Sequence, residues 1–256
     1  MKDLICNIRY LKGARVVFCD RDEDVVGITY RNVIQGIRNI LQFFSLKPGF
    51  PLVNIFVAPN RKEYDKLVAH LSKTPTAKGR VGQTQGHDLY IVSPHAWPSD
   101  AHSDYLKPNG SFDRTFYRQF LEHEIVHMVE ESSSPKNAME IRPQWWSEGL
   151  AVYAAGQYCD RLTRSALKED LTADRLPTIA ELKGRDAYVW GWSLVRYIEK
   201  RFGRNKLHDI MAGSCTGDML GLLKVNKKEF ELQWRHAMPE LASYALGKFT
   251  KPGSIA

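Results

Sequence analysis

The feature that most constrains the fold of this sequence is a change of character near residue 110. Before that point, short β-branched runs alternate with segments whose apolar residues recur at helical spacing. From Ser111 onward the pattern is one of helices and loops, with no convincing strand. Alternation followed by helices alone predicts an α+β fold. We therefore predict a mixed-sheet amino-terminal lobe, residues 1–107, and a helical carboxy-terminal lobe, residues 108–256, which form one functional unit.

The amino-terminal lobe is predicted to begin with a strand, a helix, a second strand and a second helix. Two further strands follow, with Gly86 at the turn between them. Pro59 and Asn60 mark the start of the second helix. The predicted strands are 15–20, 52–57, 79–86 and 87–93, and the predicted helices are 24–44 and 60–71.

Two helices of the carboxy-terminal lobe are predicted from the residues at their ends. The first has Ser111 as its N-cap and Asp113 in the first turn, where the helix dipole favours a negative charge, and it ends before Ser132. Pro143 is suited to the first position of the next helix, which runs through the alanine-rich segment 149–155.

Charge and cysteine usage exclude several classes of protein. The 36 basic and 29 acidic residues give a net charge of +7, but the basic residues are spread along the chain, so we expect a solvated basic surface and no nucleic-acid partner. No stretch is apolar enough to span a membrane, and no signal peptide is visible. We expect a cytoplasmic protein, or a secreted one if a native signal has been removed. The cysteines are widely spaced, which argues against a structural zinc site or a redox motif and favours reduced thiols. They are Cys6, Cys19, Cys159 and Cys215.

The segment His123-Glu124-Ile-Val-His127 contains residue types that bind and use a metal ion. On a helix, positions 123 and 127 lie about 40° apart around the axis and one turn apart along it, so both imidazoles can reach one ion. Glu124 projects beside the same face and can act on an activated water without being a ligand. Two incidental histidines on a structural helix are the alternative for this segment alone. The motif is surrounded by apolar residues, which predicts a buried helix. They are Phe116, Phe120, Ile125, Val126 and Val129.

A second segment, Gln144-Trp-Trp-Ser-Glu148-Gly-Leu-Ala, supplies a further carboxylate on the next helix. Two histidines and one glutamate with an open fourth position are typical of a catalytic zinc site, since structural sites are closed by four protein ligands. The sequence therefore predicts Zn²⁺ held by His123, His127 and Glu148. The two adjacent tryptophans of this segment are predicted to pack the start of the helix.

These two segments resemble the gluzincin group of zinc metallopeptidases, and more closely the small peptidase families in which a His-Glu-x-x-His helix is followed by a Trp-x-x-Glu-Gly-x-Ala helix. The resemblance implies a zincin-like fold with the active-site helix between the lobes. It also implies hydrolysis of a peptide or protein by a metal-activated water, with Glu124 as general base. The segment Ala187–Gly203 resembles the helix that often follows in such proteins, and its position there makes Tyr188 the candidate oxyanion donor.

The sequence departs from the gluzincin pattern at one position. Some gluzincins place an acidic residue one helical turn after the glutamate ligand, where it can orient a histidine ring. Here that position is Val152. Metal-bound histidines need such partners, so the groups that orient them must come from elsewhere in the chain.

Other candidate residues are weaker. Tyr188 has simple packing as its alternative role, and Tyr153, Trp190 and His208 are possible substitutes as donors. The remaining histidines lack ligand spacing, and a surface or structural role is expected for them. They are His70, His87, His95, His102 and His236.

Two other functions compete with that of a peptidase. An inactive zinc-binding pseudo-enzyme or interaction protein would keep the ligands without turnover. A non-haem iron oxygenase also uses two histidines and a carboxylate, although it has no need of Glu124. For a peptidase, an extended substrate is expected to pair with an edge strand around Leu89–Val92. The sequence leaves side-chain specificity and oligomeric state open.

Overall fold

The computed structural model describes residues 6–71, 75–77, 79–100, 105–134, 142–213 and 219–247. Within these residues the fold is α+β, as predicted, with a mixed sheet in the first half and helices in the second. Contacts between residues divide the chain into two compact units, Met1–Ser132 and Ser133–Ala256. The division falls later than the predicted boundary at 107/108, so the helix that carries His123 and His127 belongs with the sheet.

A five-stranded mixed sheet is the framework of the described part of the first unit. Its spatial order is β1-β2-β3-β5-β4, with β2, β3 and β5 parallel and both outer strands antiparallel to their neighbours. The four predicted strands are confirmed as β2 to β5, with shifted ends. The strands are β1 Cys6–Leu11, β2 Ala14–Cys19, β3 Val53–Ala58, β4 Gly82–Gln85 and β5 Asp88–Val92.

The strand β1 is not predicted from the sequence. Its residues alternate between exposed and half-buried, so neither face of the strand presents the buried apolar row by which strands are recognised. A two-residue turn at Lys12 and Gly13 joins it to β2, and Gly13 supplies the positive φ of +81° that the turn needs.

The prediction that Leu89–Val92 forms an edge of the sheet is wrong. These residues belong to β5, which lies between β3 and β4. The turn at Gly86, where φ is +57°, folds β4 back along β5 and covers its outer side. The edges of the sheet are therefore β1 and β4.

The three longer helices of the first unit agree with the predictions except at their ends, whereas the short helix Trp97–Asp100 is not predicted from the sequence. The second predicted helix stops at Leu67 instead of about residue 71, and Asn60 caps its start by accepting a hydrogen bond from the Glu63 amide at 3.1 Å. The helices are α1 Glu23–Phe43, α2 Arg61–Leu67, α3 Trp97–Asp100 and α4 Arg114–Ser133.

The start of α4 differs from the prediction that Ser111 is its N-cap. The Asp113 carboxylate accepts hydrogen bonds from the amides of Thr115 and Phe116, at 2.7 and 3.2 Å, and so takes the capping role. The Ser111 side chain instead donates to Asn109 in the preceding turn. Aspartate and serine cap equally well, so composition could not choose between the two positions.

The second unit is helical throughout the part that the structure describes. Pro143 lies immediately before the first of its helices, one residue from the predicted position. The Pro143 carbonyl accepts a hydrogen bond from the Trp146 amide at 2.9 Å. The helices are α5 Gln144–Ala154, α6 Arg161–Thr172, α7 Arg185–Val189, α8 Gly191–Phe202, α9 Arg204–Ala212 and α10 Lys227–Ala245.

The close crossing of α5 and α8 is made possible by two glycines. A Cβ on Gly149 would lie 2.4 Å from the carbonyl carbon of Gly191, and a Cβ on Gly191 would lie 2.8 Å from the Trp145 carbonyl oxygen. Both obstacles are backbone atoms, which cannot rotate away. The helix that carries Glu148 is therefore seated by direct contact between two backbones.

An ion-pair network joins α6 to α7. The buried Asp170 carboxylate accepts hydrogen bonds from Arg185 at 3.0 Å, from Arg175 at 3.2 Å and from the Trp190 indole at 2.8 Å. Both arginines also bond to Asp186 on α7. The network fixes the short helix on which Tyr188 lies.

None of the helices in the described ranges combines the length and the apolar character that a membrane crossing requires.

Candidate metal centre

The two predicted histidine ligands lie side by side on α4. Nε2 of His123 is 3.2 Å from Nε2 of His127, and the two rings are inclined by 80°. Glu124 and His123 are buried, with 8% and 7% of their surfaces exposed, while His127 is half-buried. Residues on several sides of α4 are buried, which confirms the prediction of a buried helix.

The spacing of these nitrogens fits a zinc ion. Two imidazole nitrogens, each about 2.0 to 2.1 Å from zinc and at a tetrahedral angle, lie about 3.3 Å apart. The observed separation of 3.2 Å between His123 and His127 matches that requirement without a change of rotamer. Neutral imidazole is also a ligand that zinc prefers.

Glu148 completes a group of possible ligands. One ligand atom each of His123, His127 and Glu148 lies within 4.8 Å of the other two. Glu148 is half-buried on α5, and carboxylate oxygen is a ligand that zinc accepts beside two imidazoles. The donor set is therefore compatible with zinc.

The position of α4 in its unit depends on two glycines. A Cβ on Gly36 of α1 would lie 2.6 Å from the Ile125 side chain, and one on Gly82 of β4 would lie 2.3 Å from the Phe120 ring. The helix thus approaches α1 on one side and the edge strand on another more closely than larger residues would allow. Phe120 is one turn before Glu124, so the second contact lies beside the motif.

A polar contact at the centre of α4 also holds it against α1. The buried Glu122 carboxylate accepts hydrogen bonds from Asn39 of α1, at 2.8 Å, and from Arg118 on its own helix, at 2.7 Å. One turn earlier, Thr29 and Tyr117 share a buried hydrogen bond of 2.6 Å. These bonds fix the rotation of α4 about its axis and hence the direction in which the histidines point.

Glu130 is a buried carboxylate beside His127 that sequence reasoning missed. Its side chain is fully buried, and its Oε2 atom lies 3.9 Å from Nδ1 of His127, the ring nitrogen away from His123. The residue at position 152, where some gluzincins carry an acid, is a buried valine. The signal that could have revealed Glu130 is its position three residues after His127, which places the two side chains on one face of the helix.

Tyr64 is a second residue without a sequence signal. It is fully buried on α2, and its hydroxyl has no hydrogen-bond partner among the described residues. Burial raises the pKa of Tyr64, and the Glu124 carboxylate, which is close enough to act on it, raises the pKa further. The phenol therefore stays protonated and able to donate at neutral pH.

Some of the candidate oxyanion donors already donate hydrogen bonds to other residues. Tyr153 donates to Glu199, and the Trp190 indole donates to Asp170 at 2.8 Å, so both predicted substitutes serve structural bonds. Tyr188 is 40% exposed on α7. His208 is half-buried on α9. The role of Tyr188 remains a prediction.

The other predicted structural residues behave as expected where they are described. Trp145 and Trp146 are 5% and 0% exposed, in agreement with a packing role at the start of α5. His95 bonds to Asp24 at 2.8 Å, His87 packs edge-on against Phe50, and His70 against Tyr90. His102 lies outside the described residues.

Comparison with known proteins does not assign the chain to a family. No protein-family profile matches it, and its sequence matches no curated protein. The geometry defines an α+β protein with a His-His-Glu group that could hold a metal ion.

Proposed function

We propose that this protein is a zinc metallopeptidase of the gluzincin type, with a zincin-like fold and with zinc held by His123, His127 and Glu148. The observation that carries the proposal is the 3.2 Å separation of the two histidine Nε2 atoms on α4, with the buried Glu124 carboxylate next to them in the chain. The buried glutamate beside the two histidines favours hydrolysis over simple metal storage, because a storage site has no use for a general base.

Zinc bound to these residues would polarise a substrate carbonyl and make a water molecule more acidic. The residues of the chain would do the rest. A carboxylate oxygen of Glu124 accepts a proton from the attacking water and then donates it to the departing amine, and such general acid–base action contributes typically about 10² to 10⁴-fold. The low exposure of Glu124 keeps bulk water from competing for that proton.

The proposed substrate is an extended peptide that adds to the outer edge of β4. That strand is an edge of the sheet, and Gly82 within it touches Phe120, one turn before Glu124 on α4. Main-chain hydrogen bonds to a strand edge tolerate many sequences. Tyr188 is the proposed donor to the oxyanion that develops on the substrate carbonyl.

A mixture of peptides incubated with zinc-loaded protein, with and without a chelator, tests the proposal. We expect cleavage that the chelator abolishes and that added zinc restores. Glu124→Gln should keep its zinc and lose at least about a hundredfold in rate, because the base is lost but no ligand is removed. Glu169→Gln, the same change of charge on a largely exposed residue, should cleave normally.

Two other outcomes would replace the proposal. Full zinc occupancy without cleavage of any peptide would indicate an inactive zinc-binding protein. Iron as the dominant metal after purification without added metal would indicate an oxygenase. Unchanged cleavage by Glu124→Gln would show that the general base has been assigned wrongly.

A further inference from the structure

Two cysteines of the first unit lie opposite each other on the neighbouring strands β1 and β2. Cys6 is the first described residue of β1 and pairs in register with Cys19, the last residue of β2. Directly opposite residues of antiparallel strands have side chains on the same face of the sheet. The two thiols therefore lie next to each other, although the two cysteines form no Cys-x-x-Cys motif in the sequence.

The turn that joins β1 to β2 determines whether Cys6 and Cys19 form a hydrogen-bonded or a non-hydrogen-bonded pair. A two-residue turn makes Leu11 and Ala14 a hydrogen-bonded pair, and the two kinds of pair alternate along an antiparallel ladder. Five positions further along, Cys6 and Cys19 form a non-hydrogen-bonded pair. In such pairs the Cα atoms are about 4.5 Å apart and the side chains are closest, which is within the range that a disulfide spans.

The surroundings of the two thiols differ. Cys6 is exposed, and Cys19 is 7% exposed. Both line a surface cavity of about 190 Å³, so a small reagent can reach the pair. Burial, and then the neighbouring Cys6, raise the pKa of Cys19 to about 12, so the buried thiol is protonated at neutral pH.

We propose that Cys6 and Cys19 are a thiol–disulfide site, which a small-molecule disulfide such as oxidised glutathione converts to an intramolecular disulfide that clamps the edge strand β1 to β2. The site is independent of the metal centre and of the proposed peptidase function. It closes a short loop around the hairpin, and it involves an edge strand whose outer side has no partner strand in the described sheet.

The reaction balances with two protein thiols and one glutathione disulfide. The exposed Cys6 loses its proton and attacks one sulfur of oxidised glutathione, which releases one glutathione thiolate. Cys19 then loses its proton and attacks Sγ of Cys6, which releases the second. The two cysteines are oxidised by two electrons, and two molecules of reduced glutathione form. Because Cys19 is protonated at neutral pH, the second step should become faster as the pH rises.

The test is incubation of the full chain with oxidised glutathione, followed by blocking of free thiols, tryptic digestion and mass spectrometry. We expect the peptide 3–9 joined to the peptide 16–21, with a loss of two hydrogens and no attached glutathione. Hydrogen exchange should show greater protection of β1 in the oxidised protein. Formation of the joined peptide should be at least about tenfold faster at pH 9 than at pH 7.

Single variants provide the controls. Cys6→Ser and Cys19→Ser should each abolish the joined peptide, whereas Cys159→Ser, which removes another exposed thiol, should leave its yield unchanged. The proposal would be overturned if Cys6 accumulated as a mixed disulfide with glutathione or paired with Cys159. It would also be overturned if oxidation left the exchange of β1 unchanged, because the bond would then not clamp the strand.

Discussion

Nδ1 of His127 lies 3.9 Å from Oε2 of Glu130, while Nε2 of the same ring lies 3.2 Å from Nε2 of His123. The His127 imidazole thus has a buried carboxylate on one side and His123 on the other. A carboxylate that accepts a hydrogen bond from Nδ1 selects the tautomer in which Nε2 has its lone pair free for a metal. We expect Glu130 to take this orienting role, which the sequence left unassigned, through a contact shorter than the 3.9 Å of this structure.

We expect Glu130→Gln to weaken zinc binding by about tenfold to a hundredfold, because the amide cannot orient His127 as a carboxylate does. Competition with a chromogenic chelator measures the affinity directly, without any reference to activity. Glu169→Gln is the control, since it makes the same change on a largely exposed glutamate. Equal zinc affinity of the two variants would show that Glu130 does not orient the ring.

The metal assignment predicts about one zinc per chain and a loss of zinc from Glu148→Ala, because only two ligands would remain. Elemental analysis of both proteins after dialysis decides the point. Glu169→Ala removes a glutamate of the same unit that is largely exposed, and it should keep its zinc. Full retention of metal by Glu148→Ala would remove this residue from the ligand set.

Tyr188→Phe should lower kcat by about 10² to 10³-fold with little change in KM or zinc content, as expected when one oxyanion donor is lost. Phenylalanine keeps the ring, and Tyr188 is 40% exposed, so stability should hardly change. Tyr10→Phe, at an exposed tyrosine of β1, is the control for the loss of a hydroxyl group. If kcat is unchanged, His208 and Tyr64 are the next donors to test.

Gly149→Ala should destabilise the protein by about 1 to 3 kcal/mol, because its methyl group would meet the backbone of Gly191 and force α5 and α8 apart. Urea unfolding measures the loss. Gly27→Ala on α1 is the matched change at a site where the new methyl group meets only the end of the flexible Arg31 side chain. This control should be neutral or stabilising by about 0.5 to 1 kcal/mol, from helix propensity alone.

The ion-pair network predicts a loss of stability in acid. Burial alone would raise the pKa of Asp170, but hydrogen bonds from Arg185 and Trp190 and the charge of Arg175 hold it below the ordinary value of 3.8. A carboxylate whose pKa is lowered by folding stabilises the fold above the ordinary pKa, and this contribution is lost as the pH falls below about 3.8.

Asp170→Asn should therefore be less stable than the parent at pH 7, by at least about 1 kcal/mol, and should lose less stability between pH 5 and pH 3. Urea unfolding at a series of pH values gives both quantities. Glu169→Gln, which neutralises the neighbouring exposed carboxylate, should change the pH dependence little, because exposed ion pairs contribute little. Identical pH profiles for Asp170→Asn and the parent would refute the role of this carboxylate.

The sequence by itself determined the elements whose signals are local. The β-branched run of β3, the amphipathic helix α1 and the capping residue Asn60 each act over a few neighbouring positions, so their patterns are visible without the fold. The spacing of His123 and His127 is local in the same sense, because a helix fixes their separation. The histidine pair of the candidate centre could therefore be predicted before any tertiary contact was known.

The tertiary structure alone decided which strands are edges, which glycines allow another element to approach closely, and which groups surround the candidate centre. Strand order depends on pairing between distant segments, so β5 could be taken for an edge until β4 was placed beside it. Gly36, Gly82 and Gly149 look alike in the sequence, and only the approach of another element gives each its role. The same holds for Cys6 and Cys19, because residues on separate strands become neighbours only through the register of the sheet.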